Sequence, residues 1–290
     1  MERPRQDAVL LGDNLEHMRR FADGSFRLAY LDPPFNTGRA QVRRTLSTAA
    51  DPRGHREGFG GRRYRSRLLA ESRYGDSFDD YLGFLEPRLV EVRRLLDERG
   101  TLYLHIDYRE AHYVKLLLDE LFGRACFLNE IVWAYDYGAR TRRRWPAKHD
   151  TILVYVKDPE RYHFDAATVD REPYMAPGLV TAEKAARGKL PTDVWWHTIV
   201  SPTGKEKTGY PTQKPEGIVR RMVQASTERG DWCLDPFAGS GTLGAVCAAL
   251  DRHFVLIDTN PEAIRVATAR LGQFERAGLR VKLSLSASGS

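Results

Sequence analysis

The tetrapeptide Asp32-Pro33-Pro34-Phe35 combines residue types suited to one task, which is holding a planar amino group while its nitrogen attacks a methyl donor. An aromatic amine is a poor nucleophile because its lone pair is delocalised into the ring. A site that accepts both N–H hydrogens, in directions that favour a pyramidal nitrogen, restores that lone pair. The Asp32 carboxylate can accept one hydrogen and the Pro33 carbonyl the other, and the prolines fix the backbone torsions so that these acceptors are preorganised. Phe35 can stack on the flat ring that carries the amine. Taken alone, the tetrapeptide also reads as a strand-ending turn with Asp as a cap.

A second run, Leu234-Asp235-Pro236-Phe237-Ala238-Gly239-Ser240-Gly241-Thr242, has the form of a strand, a glycine turn and a helix N-terminus. Glycines let a ligand touch backbone, and the positive end of a helix attracts a carboxylate such as that of a methionine moiety. Asp258 lies 19 residues beyond Gly239 at the end of the next strand, where a carboxylate can accept ribose hydroxyls. The run lacks the G-x-G-x-x-G spacing of nicotinamide cofactor sites, so the pattern favours an adenosylmethionine-type pocket. An activated sulfonium methyl needs little beyond alignment of nitrogen, carbon and sulfur.

The elements that must position these residues follow an α/β rhythm. Strands are expected at Ala8 to Leu11 and Phe26 to Leu31, with a short helix through Arg20 between them. From Gly38 to about Tyr74 the pattern dissolves into Arg, Gly and Ser, which reads as a long surface loop whose arginines, from Arg39 to Arg73, are suited to closing over a phosphate backbone. A helix from Phe78 to Arg99 with Gly100 as its stop, a strand Thr101 to Ile106 and a helix Arg109 to Phe122 come next. Regularity weakens between Asn129 and Tyr210, around strand-like pieces at Glu130 to Tyr135 and Thr151 to Val156. The rhythm then returns through a helix at Gly217 to Arg229, strands at Trp232 to Leu234 and His253 to Ile257, and helices Leu243 to Leu250 and Pro261 to Arg270.

Composition bounds the partners. The 290 residues carry a net charge of +6 with 42% hydrophobic content, enough for one substantial core, and arginine supplies 36 of the 45 basic residues. A basic, arginine-rich chain suits a phosphate-bearing partner, although a GC-rich genome produces the same bias. No apolar run approaches the length of a membrane span and the start lacks a secretory layout, so the chain reads as soluble, cytoplasmic and nucleoid-associated. Cys126, Cys233 and Cys247 are scattered and read as small core residues, with no metal cluster indicated. His105, His149 and His197 read as structural.

The sequence resembles the β-class amino DNA methyltransferases, in which a D-P-P-F/Y motif precedes the cofactor motif. The resemblance includes Lys148-His149-Asp150 before TILVYVK, the run Gly209-Tyr210-Pro211-Thr212-Gln213-Lys214-Pro215, and Asp231-Trp232-Cys233-Leu234 leading into the glycine turn. It spans roughly residues 8 to 272. It implies an α/β, Rossmann-like methyltransferase sheet with circularly permuted motif order and an inserted target-recognition subdomain. The expected division is a catalytic half at 1–128 with a mobile loop at about 38–75, target recognition at 129–210, a cofactor half at 211–275 and a tail at 276–290.

Carried over residue by residue, Asp32, Pro33, Pro34 and Phe35 would form the catalytic motif. S-adenosylmethionine would be held by Asp235 to Thr242, that is Asp235, Phe237, Ala238, Gly239, Ser240, Gly241 and Thr242, with Asp258 on the ribose. Further contacts would come from Asp13, Asp32, Thr212, Lys214 and Pro215. The family most often has Glu where Asp258 stands. The stretch from Gly138 to Lys148 lies where the family's recognition region begins, so Arg140, Arg142, Arg143, Arg144, Trp145 and Lys148 are candidate contacts to double-stranded DNA. Trp195 and Trp196 read as subdomain core.

The implied activity is methyl transfer to the exocyclic amine of a flipped base, N4 of cytosine or N6 of adenine. Methylation of RNA or of a protein glutamine uses related chemistry but usually with Asn-Pro-Pro and the unpermuted order. A catalytically inactive DNA-binding module is the alternative of a different class. Recognition sequence, a homodimer and a companion restriction endonuclease are left open by the sequence.

Overall fold

The computed structural model describes residues 1–36, 41–50, 56–57, 63–74, 78–138, 140–201 and 203–276. The chain divides into two compact units, one formed by Met1–Pro33 with Leu82–Ser290 and the other by Pro34–Tyr81.

The larger unit is built on an eight-stranded sheet in the order β1-β11-β10-β2-β6-β8-β7-β9. Strands β1 (Ala8–Leu11), β11 (His253–Asp258), β10 (Trp232–Asp235), β2 (Phe26–Leu31) and β6 (Leu96–Ile106) run parallel. Their sequences are nearly continuous apolar runs such as FVLI and LAYL, as strands covered on both faces require. Strand β8 (His149–Val156) pairs antiparallel with β6, β7 (Phe127–Ala134) antiparallel with β8, and β9 (Val194–Trp196) parallel with β7.

One face carries α5 (Glu216–Ser226), α6 (Thr242–Ala249) and α7 (Pro261–Arg276). Their buried Val219, Val223, Leu243, Cys247, Ala267 and Leu271 pack with Leu28, Tyr103, Phe254 and Leu256 of the sheet. On the other face Tyr155 of β8 donates to Asp119 Oδ1 of α3 (Ala111–Phe122) at 2.6 Å. Helix α2 (Tyr81–Leu95) buries Leu85, Leu89 and Val92 completely, at the spacing of one helical face. All three cysteines are buried, in keeping with core roles.

Several expectations are corrected. The helix that was to run to Arg99 ends at Leu95, and β6 begins at once. Gly100 lies inside this strand, within the register shift between Phe26↔Leu96 and Leu28↔Thr101. Asp97 accounts for the early stop, because its carboxylate accepts the Arg99 amide at 2.9 Å and Arg27 Nε at 3.1 Å, folding the backbone out of the helix. Residues 129–210 were expected to form a separate subdomain. Instead β7, β8 and β9 extend the main sheet, because the exposed edge of β6 offers a hydrogen-bonding template that an apolar strand can complete. Trp195 is core, but Trp196 is 72% exposed, since adjacent strand residues point to opposite faces.

The smaller unit replaces the expected loop with strands. β3 (Gln41–Ala50) pairs antiparallel with β5 (Arg63–Tyr74), and β4 (Arg56–Glu57) pairs with β5. Backbone pairing needs no apolar alternation, which is why periodicity missed it. The rest of that loop, residues 37–40, 51–55, 58–62 and 75–77, and the tail from 277 onward lie outside the described residues. No helix among the described residues is long and apolar enough to cross a membrane.

Phe254 of β11 is fully buried between β1 and β10. Phe254→Ala should lower stability by about 3–5 kcal/mol in chemical denaturation; a loss below about 1 kcal/mol would mean that the core cluster does not carry the sheet.

Candidate active site

The two ends of the sheet are not equivalent. From β2 the chain crosses to β6 on one side, and from β10 it crosses to β11 on the other, so adjacent β2 and β10 form the point at which strand order reverses. A crevice opens outside the carboxyl ends at such a point. Asp32 follows β2 directly, Asp235 ends β10 and Asp258 ends β11. Three carboxylates therefore converge on one edge.

Asp32 Oδ2 is ion-paired with Lys214 Nζ, both side chains being largely buried. Asp32 Oδ1 is buried and has no hydrogen-bond partner among the described residues, with His105 Nδ1 at 3.9 Å. Asp235 Oδ1 accepts the Phe237 amide at 3.0 Å. Asp258 accepts the amides of Gly239 through Oδ2 and Asn260 through Oδ1, each at 2.8 Å, and so clamps the glycine turn to the end of β11. Burial pushes the Asp235 carboxyl well above the ordinary value; the Phe237 amide opposes this, and repulsion from Asp32 and Asp258 adds to it. Burial likewise raises Asp258 against the pull of its backbone amides.

The glycine turn is formed by backbone that other residues adopt only under strain. Gly239 has φ +48° and Gly241 φ +73°, and a Cβ on Gly241 would lie 2.8 Å from Ala267 Cβ. Arg270 of α7 holds the turn from beneath, donating to Ser240 O at 3.3 Å and Thr242 Oγ1 at 3.0 Å, while Thr242 Oγ1 donates to Lys214 O at 3.1 Å. The segment that supplies Lys214 is thereby fastened to the glycine turn. Pro215, buried at the N-cap of α5, starts the helix behind it.

Asn14 reaches across from the N-terminal turn and donates to Pro236 O at 2.8 Å, and Arg88 joins Asn14 Oδ1 at 2.7 Å to Asp13 Oδ2 at 3.0 Å. Asp13 also caps α1 (Asn14–Met18), its Oδ1 accepting the Leu15 and Glu16 amides at 2.9 and 3.2 Å. Both of its oxygens thus serve the scaffold. Pro34 and Phe35 begin the smaller unit, where Pro34 O accepts the Tyr81 hydroxyl at 2.7 Å.

Other sequence candidates gather at the same edge. Because β8 runs antiparallel to β6, and β7 antiparallel to β8, the β7–β8 connection leaves from the carboxyl edge of the parallel strands. Arg140, Arg142, Arg143 and Arg144 are exposed on it, and Trp145 is 94% exposed. Lys148 is tied to Asp136 at 2.9 Å. Thr212 and Lys214 line a cavity of about 570 Å³ with Trp133, Tyr135, Asp150 and Tyr210. Asn14, Arg88 and Arg270 escaped the sequence reading, and His105 reads there as structural, because each acts through a partner at least 28 residues away.

A family model described as DNA methylase, the N6/N4 methyltransferases, matches residues 26–269. The chain belongs to this family of S-adenosylmethionine-dependent DNA methyltransferases. It is 36% identical over 197 residues to the type II methyltransferase M.HpaI of Haemophilus parainfluenzae, covering 67% of this chain and 60% of that protein. It is 30% identical over 271 residues to the DNA adenine methyltransferase YhdJ of Escherichia coli K12, covering 91% of this chain and 82% of that one. The fold matches that of the cytosine-N4-specific PvuII DNA methyltransferase with a TM-score of 0.64 at 14% identity, over 99% of this chain and 97% of that one. It also matches the M1.HpyAVI–SAM complex, with a TM-score of 0.58 at 21% identity over 91% of this chain and 98% of that one.

The residues present fit such a cofactor. Its ammonium and sulfonium charges match an edge where Asp32, Asp235 and Asp258 lie together beside Lys214. In this methyltransferase the raised Asp235 sets a pH dependence. The folded protein holds that proton to higher pH than the unfolded chain, so the associated stability is full below the ordinary value of 3.8 and is lost as pH rises towards the folded value. In unfolding experiments on cofactor-free protein, Asp235→Asn should gain stability relative to wild type as pH rises from about 4 to 8, while binding S-adenosylmethionine more weakly. Equal pH slopes for the two proteins would refute this.

Proposed function

We propose that this methyltransferase moves the methyl group of S-adenosylmethionine to N6 of an adenine flipped out of duplex DNA, with Asp32 gripping the amine. The observation that carries the reading is the buried Oδ1 of Asp32 at the β2/β10 switch point, unpartnered among the described residues, its other oxygen held by Lys214. A buried acceptor without a donor is costly, and an incoming N–H relieves that cost. Adenine is favoured by the name of YhdJ, matched over 91% of this chain.

S-adenosylmethionine would supply an activated methyl on sulfur: the N–C bond forms as the C–S bond breaks, S-adenosylhomocysteine leaves with the sulfur electron pair, and the proton lost from the nitrogen passes to the Asp32 carboxylate and on to solvent. Lys214 fixes the carboxylate so that Oδ1 accepts one amine hydrogen, and the Pro33 carbonyl accepts the other. The Asp235 to Thr242 turn holds the methionine end, and Asp258 aligns the ribose through the lone pairs left beside its two amide bonds. Thr212, Lys214 and Pro215 close the methionine side of the crevice. The cavity lined by Trp133, Tyr135 and Tyr210 has aromatic faces for the extruded base. The exposed arginines of the β7–β8 connection, with Trp145 and Lys148, grip phosphates and groove.

Incubation with labelled S-adenosylmethionine and unmethylated genomic DNA, followed by nucleoside digestion and mass spectrometry, should yield N6-methyladenine. Asp32→Ala should abolish the product while largely sparing cofactor binding. N4-methylcytosine would overturn the base assignment, label in RNA or protein would overturn the substrate, and cofactor binding without any transfer would mark an inactive module. For the DNA surface, Arg142, Arg143 and Arg144 changed together to Ala should weaken binding to all duplexes alike. The slope of log affinity against log salt should flatten by about 0.9 for each phosphate that is no longer neutralised; an unchanged slope would remove these residues from the interface.

A further inference from the structure

His105 is completely buried near the end of β6, between β2 and β8. The pairing Leu31↔Leu104 places it beside Asp32, which continues β2. Its two ring nitrogens face different partners. Nε2 lies 3.1 Å from Asp150 Oδ2, and Asp150 Oδ1 accepts the Tyr135 hydroxyl at 3.0 Å. Nδ1 lies 3.2 Å from the Tyr30 hydroxyl and 3.9 Å from Asp32 Oδ1. The Trp133 ring packs edge-on against the imidazole at 5.5 Å between centroids.

The protons can be placed from these contacts. Burial pushes the Asp150 carboxyl up, but the hydrogen bonds of His105 and Tyr135 and the charge of Lys214 bring it below the ordinary value, so it is an acceptor on both oxygens. Nε2 must then carry a proton. Burial, reinforced by Asp32, Asp235 and Asp150, keeps the Tyr30 hydroxyl protonated and able to donate to Nδ1. In this tautomer Nδ1 is an acceptor and has no hydrogen to offer Asp32.

We propose that Tyr30, His105 and Asp150 are positioning residues that fix the imidazole tautomer and so keep the inner oxygen of Asp32 open for the amine of the target base. The inference rests on the reading of Asp32 as the group that grips the amine. The opposite tautomer would put a proton on Nδ1, 3.9 Å from Asp32 Oδ1, where a small shift lets it occupy the acceptor that the substrate needs. A carboxylate that sets a histidine tautomer at a distance from the reacting atoms is a known source of large rate effects.

Asp150→Asn tests this with little change of shape. The Tyr135 hydroxyl claims the amide oxygen, which turns the amide NH2 towards Nε2 and forces the proton to Nδ1. The expected result is a fall in kcat of about 100-fold or more, with the Kd for S-adenosylmethionine, the KM for DNA and the Tm close to wild type. Adding Tyr135→Phe removes the hydroxyl and keeps the ring, so the amide can turn its oxygen back to Nε2, and kcat of the double variant should recover about tenfold over Asp150→Asn. A purely structural role predicts the reverse, since removing a second hydrogen bond lowers activity further. An Asp150→Asn kcat within about threefold of wild type, or a double variant no faster than the single one, would overturn the inference and leave the Asp32 reading intact. Full transfer by Asp32→Ala would instead sink that reading itself.

Discussion

The site depends on the parallel pairing of β2 with β10, a short ladder of Leu28 with Cys233 and Ala29 with Leu234. Because the crossovers from these two strands leave in opposite directions, a crevice is left beyond their carboxyl ends. The backbone there must carry side chains that tolerate one another at close range, and it carries Asp32 and Asp235. The surrounding groups are arranged to hold that pair. Lys214 neutralises one, the Phe237 amide serves the other, and Arg270 and Asn14 fix the turn that follows.

This arrangement stores electrostatic work in the ligand-free protein. Asp235 and Asp258 are both pushed up by burial, and the repulsion of neighbouring carboxylates adds to the effect at Asp235. On the proposed reading, the ammonium and sulfonium charges of the cofactor would offset that cost, which makes affinity and stability draw on the same groups. Asp150 is the contrast. It is nearly as buried as its neighbours, yet its partners His105 and Tyr135 hold it ionised, so it acts as a fixed dipole source and not as a proton store.

The strands that follow β6 give the sheet its second task. By continuing the ladder with β8, β7 and β9, the chain brings the β7–β8 connection out on the edge that already holds Asp32. The exposed arginines and Trp145 thus share an edge with the carboxylates while remaining on a separate loop. The arginine-bearing connection and the carboxylates are placed by one sheet, and the connection can vary in sequence without disturbing the parallel strands.

The sequence by itself determined the contiguous features. Asp32-Pro33-Pro34-Phe35, the Asp235 to Thr242 turn and Asp258 were legible because each is a short run at a strand end, where type and spacing already fix what the backbone can do. The parallel strands were legible from their apolar runs, and α2 from Leu85, Leu89 and Val92 on one face. Tertiary structure alone decided the rest. Lys214 meets Asp32 across 182 residues and Asn14 meets Pro236 across 222, and His105 reads as an ordinary core histidine until Asp150 and Tyr30 are beside it. The strands of residues 41–74 were hidden because strand pairing is set by backbone hydrogen bonds, which leave no mark on a polar sequence, and the joining of β8 to β6 was hidden because a free sheet edge exists only after the sheet has formed.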